Sequence, residues 1–180
     1  MLPLRGFKLN LGLLVLVSAV SLLPAQAIAL SPPATHPIAP AISPMLVARN
    51  DTIATTIRHL ERSKQRWIEI NLSSQRLIAW EGKTPVYAIL ISTGKDSTPT
   101  RPGVFAIQTR DRYARMKGDG YDVPDVPYTM YYDGGYAIHG AYWHHRFGTP
   151  VSHGCTNVAV NHARWLFHWA SIGTPVVVRY

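Results

Sequence analysis

The sequence predicts a mainly β domain of many short strands with one helix packed against them. From Trp67 onward, short runs of alternating apolar and polar residues are separated by turn-forming residues, which is the pattern of half-buried strands. Only one later segment of this region has apolar residues at helical spacing. Such a combination is expected to pack the helix against the strands around a single core.

Three strands are predicted first along the domain. Ile68–Leu72 alternates between apolar and polar residues, and Ser73-Ser74 predicts a turn after it. Arg76–Trp80 is the second strand, which ends at Glu81-Gly82-Lys83. Val86–Ile91 is the third. Because it is nearly all apolar, we expect it in the centre of a sheet.

A fourth strand is predicted at Gly103–Thr109. Further along, Tyr128–Tyr132 and Tyr136–Ile138 flank Asp133-Gly134-Gly135, which is a hairpin signal. The segment between Arg112 and Pro127 is expected to form a flap.

The one helix is predicted near the C-terminus. Asn161 can cap its first turn, and Gly173 can end it. Thr174–Tyr180 is then a final strand. The apolar stripe of the helix consists of Trp165, Leu166 and Trp169.

Residues 1–27 have the three parts of a secretory signal peptide. Arg5 and Lys8 give a basic start, Leu9–Leu23 is apolar and uncharged, and Ala25-Gln26-Ala27 is a small-x-small cleavage site. The apolar stretch is short for a membrane span, so we expect cleavage, with an uncleaved anchor as the alternative. In both cases the rest of the chain is expected to be exported, to the periplasm or cell wall.

Residues 28–65 are predicted to be a Pro/Ala-rich linker, and the domain itself covers residues 66–180. Within the linker, Asp51–Ser63 has the spacing of a short helix, with apolar residues at Ile53, Ile57 and Leu60. Removing 27 of the 180 residues leaves 153, which is enough for one domain with a core.

The chain is basic, with a formal net charge of +8 that becomes +6 without Arg5 and Lys8. A basic exported protein suits an anionic cell envelope. Nucleic acid is not an expected partner, because no basic run interleaved with aromatic residues is present. Membrane contact is expected only through the signal segment, if it stays uncleaved.

The only cysteine, Cys155, follows Ser152-His153-Gly154. In an exported chain it has no partner for an internal disulfide, so it is either buried and inert or a reactive thiol. Acyl transfer through a cysteine needs a thiolate, a proton acceptor and hydrogen-bond donors for the oxyanion. His139, at a strand end, suits the base, and the N–H groups of Gly154 and Cys155 suit the oxyanion.

The neighbours of the cysteine are expected to shape this site. His153 should point away from Cys155, because adjacent residues of an extended chain point to opposite sides. Ser152 and Asn157 can hold the loop by hydrogen bonds to the backbone. If His139 is an imidazolium, it favours the thiolate, and Cys155 is then alkylated faster than an ordinary thiol. On these residues alone, a buried structural cysteine is an equal alternative.

Four ordered motifs resemble the L,D-transpeptidase catalytic domain, the YkuD family. Ile138-His139-Gly140 and Ser152–Asn157 match its signature. Ser92-Thr93-Gly94, followed by Thr98–Phe105, resembles an upstream segment of the family, and the ending Gly173–Val178 resembles its closing strand. The resemblance spans about residues 66–180 and does not include the linker.

The resemblance implies a β-sandwich-like domain with the cysteine under a flap and one helix in the C-terminal region. Cys155 would be the nucleophile and His139 the general base, with its ring oriented by the Gly140 carbonyl. His153 and Ser152 would shape the site. In relatives, the position of Asn157 is occupied by Asn or Arg.

The resemblance also implies the reaction. The donor would be a peptidoglycan tetrapeptide stem, cut between the L-centre of its diamino acid and the terminal D-Ala. The acyl-enzyme would pass to an amine of a neighbouring stem and give a 3→3 cross-link. The lysine of an envelope protein, a free D-amino acid or water are alternative acceptors. Neither a metal nor a cofactor is expected.

Further candidates for substrate contacts surround the signature. The segment Tyr142–Phe147 is more aromatic and basic than the motif requires, and Arg146 could bind a carboxylate of the stem. A solvated loop is the alternative for this segment. Tyr121 and Tyr128 lie on or next to the expected flap and could contact the donor or the oxyanion.

Three other classes of protein are weighed against this interpretation. A sortase-like transpeptidase would use an arginine such as Arg164, but the Thr-Leu-x-Thr strand of sortases is missing. A zinc hydrolase would need a paired histidine motif that the sequence lacks. A non-catalytic wall-binding module would not need Cys155 and His139.

Overall fold

The structure, a computed structural model, describes residues 43–180. The predicted signal peptide and residues 28–42 of the predicted linker lie outside this range. None of the helices within residues 43–180 is long and apolar enough to cross a membrane. The described elements are α1 Pro44–Arg62, β1 Arg66–Asn71, β2 Arg76–Glu81, β3 Thr84–Leu90, β4 Gly103–Ala106, β5 Thr109–Gly118, β6 Tyr121–Asp133, β7 Tyr136–Gly140, β8 Thr156–Val158, α2 Val160–Trp169 and β9 Pro175–Arg179.

Two sheets share one core, which confirms the predicted mainly β, sandwich-like fold. The first sheet has the strand order β3-β2-β1-β9-β4, and the second has β5-β6-β7-β8. The β1–β9 and β7–β8 pairs are parallel, and the other pairs are antiparallel. Helix α2 adds its buried side to this core. The fully buried residues of the core include Ile68, Ile70, Leu77, Met130, Ile138, Val158, Leu166, Val176 and Val178.

Helix α1 covers the outer face of the first sheet. Leu60 and Ile53 pack with Trp67 of β1 and Val177 of β9 in a second buried cluster. Trp67 also stacks on Trp80 at 5.3 Å between ring centroids. The helix is longer than the predicted segment and is packed on the domain, so this part of the predicted linker is not a free tether.

The C-terminal end of α2 is held by two arginines from the sheets. Arg66 of β1 donates to the Trp169 carbonyl at 3.0 Å, and Arg110 of β5 donates to the Phe167 carbonyl. These carbonyls have no partner inside the helix, and cations favour this end of the helix dipole. The same helix end therefore contacts both sheets.

The predicted ends of α2 were wrong. The N-cap position is Ala159, which follows β8 directly, and Asn161 lies inside the first turn. The short connection from β8 sets the start of the helix, so the residue with the best capping propensity is not at the cap. The helix ends at Trp169, and Gly173, with φ of +87°, lies in the turn before β9.

Strand β3 is at the edge of its sheet, so its predicted central position was wrong. The inward side of β3 packs on the core. Ile89 is buried, and the Tyr87 ring stacks on Trp165 with 4.0 Å between ring centroids. Its outward residues Val86 and Leu90 are 38% and 49% exposed. An apolar run was therefore not sufficient to identify a strand covered on both faces.

The expected flap is a long hairpin of β5 and β6. Asp119-Gly120 forms its two-residue turn, with Gly120 at φ of +76°, a conformation that glycine adopts without steric cost. On its outer face, Arg115 binds both carboxylate oxygens of Asp122, at 2.8 and 2.7 Å. This charged pair replaces the apolar alternation by which strands are identified in a sequence.

We expect Leu60→Ala to destabilise the domain by about 2–5 kcal/mol, because the truncation leaves a cavity between α1 and the first sheet. Urea denaturation followed by tryptophan fluorescence measures the change. Val47→Ala, on the exposed part of the same helix, is the control and should cost less than about 0.5 kcal/mol. Equal effects would mean that α1 does not contribute to the stability of the domain.

Candidate active site

The parallel pair β7–β8 brings His139 and Cys155 to one cavity. His139 is aligned with Asn157 of β8, and Cys155 precedes Asn157 by two residues. Cys155 lies in the bend that leads directly into β8. The cavity has a volume of about 360 Å³. Its lining consists of Met116, Tyr121, Val123, His139, Trp143, His144, Arg146, Val151, Ser152, His153, Cys155 and Asn157.

The turn before Cys155 depends on a glycine. Gly154 has φ of +122°, and a Cβ at this position would lie 2.7 Å from the ring of Tyr136. Its N–H donates to Ser152 Oγ at 3.1 Å, and Ser152 Oγ donates to the Cys155 carbonyl at 2.5 Å. The Gly154 N–H is therefore engaged with Ser152 in this structure, and its role as an oxyanion donor stays a prediction.

Residues 93–100 hold this turn from outside the cavity. The Thr93 carbonyl accepts the N–H groups of Val151 and Ser152 at 2.9 and 3.0 Å. Thr100 Oγ1 donates to the Gly154 carbonyl at 2.6 Å. The sequence motif around Thr93 was noted, but its role in positioning the loop was not predicted, because the contact joins segments about sixty residues apart.

His139 has the orientation that the resemblance implied. It is 2% exposed, and its Nδ1–H donates to the Gly140 carbonyl at 3.1 Å, so Nε2 carries the free lone pair. Burial lowers the pKa of His139 to about 4, against the opposing effect of the Gly140 hydrogen bond. The neighbouring His144 lowers this pKa further. His139 is therefore a neutral base at pH 7.

The surroundings of Cys155 favour its neutral thiol form. Burial raises the pKa of its thiol, and a hydrogen bond from the Ala137 backbone opposes this effect. The Sγ atom donates to the Gly135 carbonyl at 3.6 Å. Burial disfavours the charged form of both groups and so opposes the expected thiolate–imidazolium pair.

The flap and the signature meet at Tyr121 and His153. Their rings are stacked, with centroids 4.7 Å apart and an angle of 25° between the planes. His153 is exposed on its other side. Burial raises the pKa of Tyr121, and a negative charge on Cys155 would raise it further. Tyr121 therefore lies where the sequence predicted, at the wall of the cavity.

The loop of residues 141–150 forms another wall. The Trp143 ring stacks on His139 at 5.7 Å between centroids. Tyr142 donates to the Pro124 carbonyl at 2.8 Å and so connects this loop to β6. The Asn157 amide lies 2.8 Å from His144 Nε2, so its side chain holds another side chain and not the backbone as predicted.

Two predicted or considered residues lie elsewhere. Tyr128 has φ of +54° and packs against α2, with its ring 5.7 Å from that of Phe167, so its predicted contact with the substrate was wrong. The positive φ at the β6 backbone turns the side chain to the helix, which no sequence pattern indicates. Arg164 lies in a surface groove along α2, outside the cavity.

Metal-binding side chains do not cluster in the described range. Within residues 43–180 there is no group of three or more His, Cys, Asp or Glu side chains that could hold an ion. His139, His144 and His153 line the cavity but do not form such a group.

Comparisons with known proteins agree on one family. The family model YkuD, L,D-transpeptidase catalytic domain, matches residues 65–178. L,D-transpeptidase 2 of Mycobacterium tuberculosis is 33% identical over 99 residues, which cover 48% of this chain and 24% of the relative. This chain therefore spans about a quarter of that protein.

Solved structures have the same fold. The catalytic domain of an L,D-transpeptidase from Enterococcus faecium, solved by NMR, is 32% identical with a TM-score of 0.59, and the match covers 66% of this chain and 99% of that domain. An L,D-transpeptidase from Mycobacterium smegmatis has a TM-score of 0.61 at 22% identity, over 64% of this chain and 59% of that one.

We expect iodoacetamide to modify Cys155 more slowly at pH 7 in the folded protein than in the same protein unfolded in urea, because burial raises the thiol pKa. The folded rate should rise about tenfold for each pH unit up to that pKa. Mass spectrometry of the single cysteine measures both rates. If the folded protein reacted faster than the unfolded protein, at a rate that no longer depended on pH near pH 7, the result would indicate a thiolate–imidazolium pair instead.

We expect His139 to make the free energy of unfolding depend on pH. In the unfolded chain it binds a proton below about pH 6.5, whereas in the folded chain it stays neutral down to about pH 4. Stability is therefore fully present above pH 6.5 and is lost as the pH falls to about 4, by about 3 kcal/mol. Urea denaturation at several pH values tests this. His139→Gln is the control, and its free energy of unfolding should fall less between pH 6.5 and pH 4. An equal fall in the unaltered protein and in His139→Gln would contradict the prediction.

Proposed function

The chain belongs to the YkuD family of L,D-transpeptidase catalytic domains, and from this premise we propose that it is a peptidoglycan L,D-transpeptidase with Cys155 as its nucleophile. The observation that carries the proposal is that Cys155, directly before β8, and His139, on the neighbouring parallel strand β7, line one cavity. A buried neutral imidazole beside a thiol is the arrangement that general-base activation of a cysteine needs.

Acylation starts from the neutral pair. His139 Nε2 takes the thiol proton as Sγ attacks the carbonyl carbon at the L-centre of the diamino acid in a tetrapeptide donor. The Sγ–C bond forms, the C–N bond to the terminal D-Ala breaks, and the amine of D-Ala leaves with the proton from His139. The hydrogen bond from Nδ1 to the Gly140 carbonyl supports this role, because it stabilises the imidazolium formed in the transition state.

Transfer reverses the proton path. An amine of a neighbouring stem attacks the thioester carbonyl, loses its proton to His139 and displaces Sγ, which is protonated again. A 3→3 cross-link results. The lysine of an envelope protein is the alternative acceptor, and it would use the same acyl-enzyme.

The oxyanion needs donors at the cavity wall. The Cys155 N–H is one candidate, because the other predicted donor, Gly154, is engaged with Ser152. The Tyr121 hydroxyl is a second candidate, since its ring lies against His153 at the same wall. Ser152 shapes the turn, and Asn157 holds the loop of residues 141–150 through His144.

A peptidoglycan substrate fits export, which we propose on residues 1–27, and a periplasmic or cell-wall location. A sortase-like reaction lacks this support, because Arg164 lies on α2 away from the cavity. A wall-binding module without catalysis would have no use for the orientation of His139.

We expect residues 28–180, mixed with purified disaccharide-tetrapeptide, to form an acyl adduct, release D-Ala and produce a cross-linked dimer in mass spectra. Cys155→Ala should abolish all three, because no other thiol is present. His139→Ala should slow acylation by about 10²–10⁴-fold and His153→Ala by less, since only His139 is positioned as a base.

Release of D-Ala without a dimer would point to another acceptor. Absence of any adduct in the unaltered protein would contradict the proposed activity. A larger effect at His153 than at His139 would mean that the base is assigned to the wrong residue.

A further inference from the structure

The cavity contains one permanent charge. Arg146 is the only Arg or Lys among the lining residues, and none of them is an Asp or Glu. Within residues 43–180, Arg146 takes part in no ion pair. A guanidinium at the rim of a cavity without acidic residues is available to a negatively charged group of a ligand.

The backbone of Arg146 is held on both sides. Its carbonyl accepts a hydrogen bond from Ser92 Oγ at 2.7 Å, and its N–H donates to His144 Nδ1 at 3.2 Å. Ser92 is fully buried, and in this structure its hydroxyl binds only the Arg146 carbonyl. A buried hydroxyl used in this way fixes where the loop presents its cation.

The same serine connects Arg146 to the strand of the nucleophile. The Ser92 N–H donates to the Asn157 carbonyl at 2.9 Å, and the Asn157 N–H donates to the Ser92 carbonyl at 2.8 Å. Asn157 follows Cys155 by two residues. The start of the Arg146 side chain is therefore set relative to Sγ through a short chain of hydrogen bonds, which is the preorganisation that a specific ligand contact requires.

The electrostatic environment at this wall is positive. The pKa of His144 is lowered by burial first, and then by the charges of Arg146 and His145. Since no carboxylate of residues 43–180 lines the cavity, a carboxylate of the ligand would offset this charge. Arginine binds carboxylates through two parallel hydrogen bonds, and an uncharged carboxamide cannot replace them equally.

We propose that Arg146, positioned by Ser92, binds a carboxylate of the donor stem and makes the cavity selective for donors in which this group is free over donors in which it is amidated. The identity of the ligand rests on the proposed function. Two carboxylates of a donor could fill the role: that of the terminal D-residue, which leaves with the product, and a second carboxylate on the diamino acid, which stays on the acyl-enzyme.

The test compares kcat/KM for three donors: the tetrapeptide, the tetrapeptide with an amidated terminus, and the tetrapeptide amidated on the diamino acid side chain. We expect Arg146→Gln to lower kcat/KM for the unmodified donor by about 10–100-fold. With the donor that lacks the bound carboxylate, Arg146→Gln should differ from the unaltered protein by less than about twofold. The donor for which the effect disappears identifies the source of the carboxylate.

A matched control separates this contact from a general effect of charge. Arg112→Gln removes the same charge from an exposed position on β5 that does not line the cavity. It should change none of the three values by more than about twofold. A loss with Arg112→Gln equal to that with Arg146→Gln would overturn the proposal, because long-range attraction would then explain the preference.

Ser92→Ala tests the positioning role. It should raise KM for the unmodified donor several-fold with little change in kcat, and it should reduce the preference for carboxylate over carboxamide. A residue with a purely structural role would lower activity on all three donors alike. An unchanged preference with Ser92→Ala would remove Ser92 from the proposal.

Calorimetric binding of the three donors to Cys155→Ala, with and without Arg146→Gln, makes the result independent of turnover. If the unaltered protein binds but does not react with any donor, the proposed reaction fails, while the ratio of binding constants still decides this inference. Equal losses on all donors, no loss on any, or no binding of the tetrapeptide would overturn it.

Discussion

The site depends on the parallel pairing of β7 with β8. The register aligns His139 with Asn157, and Cys155 lies directly before β8, so a shift by one residue would turn Asn157 to the other side and displace Cys155 from His139. Ile138 and Val158 lie on the opposite side of these strands and are fully buried. Their packing in the core fixes the register. The geometry of the candidate catalytic pair is thus set by the packing of the residues between them.

A second constraint follows from the first. His139 lies on the inner strand β7, and burial disfavours charge on both the histidine and the thiol. Burial therefore favours the neutral pair, from which proton transfer would accompany attack on the substrate. The one permanent cation, Arg146, lies on a loop at the rim, where water still compensates its charge.

Much of this arrangement could be predicted from the sequence, where the signal was local. The alternation at Ile68–Leu72, the Gly134-Gly135 turn and the signature around Cys155 each lie within a few residues. Contacts between distant segments could not be predicted. The side of β6 from which Tyr128 points depends on a backbone conformation, and the role of Ser92 depends on a carbonyl 54 residues away. The hairpin of β5 and β6 has no clear apolar alternation, because its outer face carries the exposed ion pair between Arg115 and Asp122.

The neutral thiol has a consequence for redox chemistry. Oxidants such as peroxides react with the thiolate, so a raised pKa keeps the reactive fraction small at neutral pH. In the oxidising compartment to which the proposed export would bring the chain, a permanently ionised cysteine would be converted to sulfenic acid or to mixed disulfides. A thiol that is ionised only as it attacks the substrate combines nucleophilic chemistry with resistance to such oxidation.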